Sequence, residues 1–329
     1  LRRTLLSALC AAAAGIRTHA NAQTLPQTLP ANRPIRLLVG SPAGGTADIL
    51  ARVIGDALSK QLAQPVIVDN KPGAGSTIAM DSLLSSPRDG LSYLVSVSSL
   101  VTELPYTFKP RYDPFKDVKP LVDLGGSGLV LVSAPSLPPK DLQALIAYVK
   151  AHPGQINFAS YSTGTLSHIM GLQLNQLAGL DMNHVGYKGS APALVDVIGG
   201  QVQFMFDGLA TSIPMIKAGK LRAYAVSSAQ RSALLPNVPT LAELGFAPMT
   251  RAGWMGLYTL PGVAAPIQQR VREAALKALT QPDVRGKLDP LGLFSDLQNP
   301  RSPEQLEASL REDYEAVGAI LRAIDYKPE

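Results

Sequence analysis

The chain is organised by a recurring unit: a short β-rich run that breaks at a turn of small residues and resumes with a helical period. Ile35-Arg36-Leu37-Leu38-Val39 stops at Gly40-Ser41-Pro42-Ala43-Gly44-Gly45. Apolar residues then recur at Ile49, Leu50, Val53, Ile54, Ala57 and Leu58, the spacing of one helix face. Pro65-Val66-Ile67-Val68 breaks at Asn70-Lys71-Pro72-Gly73-Ala74-Gly75 before a second helix from Ser76 to Leu84, and Tyr93 to Val97 reads as a third strand. Strands that alternate with helices in this way predict a parallel sheet covered by helices.

After the Pro-rich stretch from Pro105 to Pro120 the pattern starts again. Strands are predicted at Leu129–Val132, Ile156–Ala159, Met182–Val185, Val202–Phe206 and Leu221–Val226. Helices are predicted at Leu142–Val149, Leu166–Leu177 and Pro192–Ile198, with a closing helix through Ile267, Val271 and Leu279 and a terminal one from Pro303 to Ala323. The halves share a layout without sharing sequence. The simplest architecture is α/β, with two lobes and a cleft between them. Residues 31–124 plus 228–329 would form lobe 1, and residues 125–227 lobe 2.

Composition narrows what such a chain can do. A hydrophobic fraction of 46% excludes disorder, and a single Cys excludes a disulfide scaffold. Residues 1–22 read as an export signal. Arg2 and Arg3 precede the apolar run Leu5–Ala14, which is too short to span a bilayer, and Ala20-Asn21-Ala22 supplies a cleavage site before Gln23. Removing Arg2, Arg3 and Arg17 from 30 basic residues leaves 27 against 25 acidic, a net charge of +2. That balance offers no electrostatic case for nucleic acid. Cys10 leaves with the signal, so the mature chain would carry no thiol, which suits a bacterial periplasm.

The turn from Gly40 to Thr46 has the GxxxxG spacing of a phosphate loop but carries Thr46 where a nucleotide-binding loop needs Lys. Gly73-Ala74-Gly75 fails the dinucleotide fingerprint because Ile78 replaces its third Gly. What survives is general physics. Small residues leave backbone N–H groups open at a helix N-terminus, where an anion can sit without a cationic side chain. A tight βα turn that binds nothing fits the same spacing. Ser160, Ser162, Thr163 and Thr165 concentrate hydroxyls at a second strand–helix junction, as caps or as anion donors. Asp207, directly after a strand, is either an N-cap or a ligand contact.

Enzyme chemistry finds little support. There is no G-x-S-x-G elbow and no Cys nucleophile for the mature chain. His168 and His184 lie in different elements, neither at metal-ligand spacing from a second His or a carboxylate. Lys188 reads as a solvated loop cation and Trp254 as a core residue. No catalytic residue, metal or cofactor is expected.

Read together, several segments resemble the substrate-binding proteins of tripartite tricarboxylate transporters, the Bug receptors. They include Pro34-Ile35-Arg36-Leu37, Pro42-Ala43-Gly44-Gly45 with Asp48, Asn70-Lys71-Pro72-Gly73-Ala74-Gly75 and Pro87-Arg88-Asp89-Gly90. Tyr187-Lys188-Gly189-Ser190-Ala191-Pro192, Gly199-Gly200-Gln201-Val202, Phe206-Asp207 and Val238-Pro239-Thr240 continue the series. Their order and spacing, from Pro34 to Val317, carry the resemblance.

The resemblance implies a type II periplasmic-binding fold whose lobes close over a small organic acid. One carboxylate would be gripped by the two turns, through amides of Ala43, Gly44 and Gly45 and donors at Thr163 and Thr165. Ser99 and Asp207 would address the distal part of the ligand. Ser41, Pro42, Thr46, Tyr161 and Ser162 complete the expected binding set. The sequence departs from the family where Ser41 replaces a common aromatic, where Ser162 replaces a common Gly, and where Tyr161 is unusually large. The implied function is capture of a carboxylate in the periplasm, by a monomer that delivers it to membrane permease subunits. The alternative is a sensor that docks on a histidine kinase.

Overall fold

The computed structural model describes residues 28–108 and 110–327, so the expected export signal lies outside the described residues. The chain opens with β1 (Ile35–Val39), α1 (Thr46–Leu62), β2 (Val66–Asn70), α2 (Thr77–Leu84) and β3 (Ser92–Val97). Two one-turn helices, α3 (Ser99–Thr102) and α4 (Leu104–Thr107), lead to the long β4 (Lys119–Ser133). Then follow α5 (Leu142–Lys150), β5 (Ile156–Ser160), α6 (Leu166–Ala178), β6 (Met182–Gly186), α7 (Ser190–Ile198), β7 (Phe204–Gly208), α8 (Leu209–Lys217) and β8 (Arg222–Val226). The chain closes with β9 (Ala252–Thr259), α9 (Ala265–Leu279), α10 (Pro282–Leu288) and α11 (Pro303–Ala323).

Two sheets share one strand. In the first, β2, β1 and β3 run parallel and β9 lies antiparallel between β3 and β4. Residues 119–128 of β4 pair with β9, whereas Leu129–Ser133 pair with β7 and β8 of the second sheet. There β7, β5 and β6 are parallel. The hydrophobic residues divide accordingly. Leu37, Leu50, Ile54, Tyr93, Leu257 and Ile267 belong to one core. In the second sheet, Leu129, Leu131, Phe204 and Phe206 face one layer of helices, and Val130, Val132 and Met205 face the other. That alternation is what a sheet buried on both faces requires.

Local sequence explains the helix ends. The N-cap of α1 is Gly45, in extended backbone, and its C-cap Ala63 turns left-handed so that its N–H reaches Ser59 O. Helix α6 stops at Gly179 in the left-handed region, the residue type that tolerates it. Ser302 and Gln305 form a capping box on α11, with Pro303 at its first position.

Three features differ from the sequence-based expectation. The first ten residues of β4 and all of β9 are strands that the hydrophobic pattern does not announce. Their glycines explain why. A Cβ on Gly126 would lie 2.5 Å from Gly253 O and 2.7 Å from Trp254 Cα, so close backbone approach displaces the usual alternation. Second, residues 125–128 pair with β9 of the first sheet, and pairing with β7 and β8 of the second starts at Leu129 and Val130. Third, residues after 228 stay with the second sheet for some distance. Leu235, Leu241 and Met249 pack into the second lobe's cores, and Thr240 bridges to Val226, so the chain crosses back only along β9. Far along the chain, Val317 and Leu321 of α11 pack on Ile169 of α6, tying the last helix of the first lobe to the second.

Candidate functional site

The C-terminal ends of β1 and β3 face those of β5 and β7 across a cavity of about 100 Å³. One water needs about 10–15 Å³ on such a measure, so the space suits a small organic molecule. Four helices aim their N-termini at it. The N-caps of α1, α6, α7 and α8 are Gly45, Thr165, Gly189 and Gly208, and all four line the cavity. None accepts a side-chain cap bond. The first amides of each helix have no carbonyl of their own helix to bond, and the dipole adds partial positive charge. The arrangement stabilises an anion with neutral groups.

The first turn is braced from behind. Asn70 Nδ2 donates to Ser41 O at 3.0 Å and to Asp48 Oδ1 at 2.9 Å, and Arg52 Nε donates to Asp48 at 2.9 Å. Burial opposes ionisation of Asp48, but Arg52, the Gly44 amide and Asn70 together hold its carboxyl below the usual range. A Cβ on Gly40 would sit 2.0 Å from Ser76 Oγ, so that position admits only Gly without movement.

Of the residues expected at the site, Ser41, Gly45, Thr46, Ser99, Tyr161, Ser162 and Thr165 line the cavity. Pro42, Ala43, Gly44, Thr163 and Asp207 do not. Ala43 and Gly44 are exposed, and the Gly44 amide donates to Asp48 Oδ2 at 2.9 Å. The Gly45 amide is also used, donating to Pro42 O at 3.1 Å. The amides left over on α1 are therefore those of Thr46 and Ala47, the next two residues along the chain. Thr163 sits against Gly186, whose Cβ would meet Thr163 Oγ1 at 2.4 Å. Asp207 is fully buried behind the cavity, with Oδ2 accepting from Thr211 Oγ1 at 2.6 Å and Ser212 Oγ at 2.7 Å. Burial pushes its carboxyl above the usual range, against the hydroxyls of Ser190, Thr211 and Ser212.

On the second lobe, Thr165 Oγ1 donates to Ser162 O at 2.6 Å and shapes the turn. Burial raises the Tyr161 hydroxyl, and the carboxyls of Glu103 and Asp207 push it further. Thus the two acids far apart in sequence both act on one cavity-lining side chain. Glu103 is itself held above its usual range by burial, opposed by Thr102 and Arg251. The lobes touch around the cavity. Leu166 N donates to Ser99 Oγ at 3.4 Å, and a Cβ on Gly208 would meet Thr46 Oγ1 at 3.2 Å.

Some lining residues were not singled out from sequence. Gly189-Ser190 repeats the strand–turn–helix signal and was legible. Gly126, Gly128, Trp254 and Met255 come from the crossing strands, which carry no local signal. Lys188 lies exposed at the rim and is the one cationic side chain among the described lining residues. His168 and His184, unrelated in sequence spacing, stack with ring centroids 3.7 Å apart outside this cavity. Each has a hydrogen-bond partner, Gly164 N for His168 and Ser160 Oγ for His184. Among the described residues no cluster of three or more His, Cys, Asp or Glu could hold a metal, and no helix is long and apolar enough to cross a membrane.

Comparison with known proteins agrees with this geometry. Residues 50–325 match the family model described as tripartite tricarboxylate transporter family receptor. BugT of Bordetella pertussis is 36% identical over 269 residues, covering 80% of this chain and 81% of that protein. The structure of MatC from Rhodopseudomonas palustris with bound malate superposes with a TM-score of 0.83 at 31% identity, covering 88% of this chain and 99% of that one. R. palustris Rpa4515 with adipate superposes at 0.86 with 26% identity, covering 91% and 99%. Both fold and family are those of solute-binding proteins. The chain belongs to the receptor family of the tripartite tricarboxylate transporters, the TctC or Bug proteins.

Proposed function

We propose that the protein captures a small organic carboxylate in the periplasm and hands it, as a monomer, to the membrane subunits of a tripartite tricarboxylate-type transporter. The observation that carries this reading is the convergence of four helix N-termini, none capped by the side chain of its own N-cap residue, on one small cavity. Backbone amides there offer a carboxylate charge-assisted hydrogen bonds without a buried cation. Thr46 and Ala47 would serve from the first lobe and the first turn of α6 from the second. There the Thr165 and Leu166 amides make only long bonds of 3.4 Å, to Ser162 O and Ser99 Oγ. Ser99 stands where it can reach both the ligand and the α6 amide.

The family match and the malate- and adipate-bound neighbours support a carboxylate. A receptor for a sensor kinase finds no support among the relatives. The test is a thermal-shift and calorimetry screen of organic acids against their methyl esters. An acid that stabilises the protein by RT ln(1 + [L]/Kd), with an inert ester, is the expected result. Equal binding of the ester would overturn the reading. Uptake of the same acid in cells, lost on deletion of either the receptor or the permease subunits, tests delivery.

A further inference from the structure

The cavity offers far more for one anion than for two. Asp48 already occupies the first turn of α1, where it takes the Gly44 amide. Asp207 stands at the start of α8 and takes the hydroxyls of Thr211 and Ser212. Acidic side chains of the protein itself therefore already take donors at three of the four helix ends, since Asp207 is also hydrogen-bonded by Ser190 at the start of α7. By contrast, α6 carries no acidic residue in its first turn. Lys188 aside, the rest of the lining is uncharged, with the side chains of Val97, Leu129, Leu166, Leu209, Trp254 and Met255 beside the hydroxyls of Ser96, Ser98 and Ser99.

A second carboxylate lodged among those side chains would lose its hydration with little in return. The lining residues include no Arg or His, and Lys188 is exposed at the rim. Glu103 and Asp207 are buried acids, not cations, so neither offers a second carboxylate a counter-charge. What the inner wall does offer is neutral. Ser96 Oγ and Trp254 Nε1 are buried without a protein partner, and both residues line the cavity. They match an uncharged oxygen on the ligand body, since the indole N–H can only donate.

Resting on the carboxylate-capture reading above, we infer that this receptor selects a monocarboxylate with an uncharged, largely apolar body, unlike the dicarboxylates malate and adipate held by its structural neighbours. Calorimetry on matched pairs decides it: butanoate against succinate, hexanoate against adipate, and benzoate against terephthalate, with the methyl ester or amide of each monoacid. The expected result is that at least one monoacid binds, at least roughly tenfold tighter than its diacid partner, and that Lys188→Met changes its affinity by less than about threefold. A diacid that binds tighter than its monoacid, and loses that advantage in Lys188→Met, overturns the inference while leaving carboxylate capture intact. Binding of the neutral analogue as tightly as the acid, or of no acid in the set, overturns both.

Discussion

His168 Nδ1 accepts the amide hydrogen of Gly164 at 3.1 Å, so a core histidine fixes the turn that opens onto the ligand cavity. The same turn is held on its other side by Thr107, whose Oγ1 donates to Gly164 O at 3.3 Å. Gly164 has φ +75 and its Cβ would meet Thr107 Oγ1 at 2.2 Å, so the turn is specified by both sterics and hydrogen bonds.

His168→Leu should therefore do more than empty a histidine site. It leaves the buried Gly164 amide without its acceptor, at a cost of ~1–3 kcal/mol. Urea denaturation should show that loss, and calorimetry should show weaker ligand binding. Unchanged affinity together with reduced stability would mean that the turn does not depend on the histidine.

The histidine pair also predicts a pH dependence. Burial, with the His184 ring beside it, holds the His168 imidazole down to about 3, and burial holds His184 at about 4. The unfolded chain, with imidazoles near 6.5, takes up protons first as pH falls. The stability they contribute is thus present above pH 6.5 and lost as pH drops toward 4. For His168 the slope is ~1.4 kcal/mol per pH unit. Glu103 and Asp207, raised by burial, act with the opposite sign on their own range. The informative quantity is therefore the difference between wild type and His168→Gln. It should shrink by that slope between pH 6.5 and 4.

Gly208→Val tests closure of the lobes. The backbone there has φ −66 and ψ 143, which Val adopts without strain. Its side chain would instead press on Thr46, since even a Cβ reaches to 3.2 Å of Thr46 Oγ1. If the lobes open and close as the family resemblance implies, overpacking of ~1–3 kcal/mol falls on the form in which Gly208 meets Thr46, so affinity should drop roughly five- to hundredfold. Small-angle scattering should show a more open protein, with the unliganded melting temperature near that of wild type.

Thr165→Ala probes how the second turn is shaped. The hydroxyl is committed to Ser162 O, so its loss removes one neutral hydrogen bond, ~0.5–1.5 kcal/mol. Ligand affinity should fall roughly two- to tenfold. A loss of several hundredfold would show that the hydroxyl itself grips the anion.

By itself the sequence determined the parts whose cause is local. The βα units around Gly40–Gly45 and Ser160–Thr165 follow from a change of hydrophobic period at a small-residue turn, and neighbours along the chain suffice to produce it. The proposal that those turns hold an anion rests on the same local cause, because a helix N-terminus carries its open amides wherever it is placed. Tertiary structure decided which amides remain open. Asp48 takes that of Gly44 and Pro42 O that of Gly45, which leaves Thr46 and Ala47 facing the cavity. It also decided that β4 and β9 cross between the lobes, since a glycine such as Gly126 suits a strand only when another backbone lies against it. The stacking of His168 on His184 and the reach of Glu103 and Asp207 to Tyr161 join residues whose separation along the chain holds no periodic signal. Periodicity reports what one segment buries; only the packed chain sets which buried groups meet.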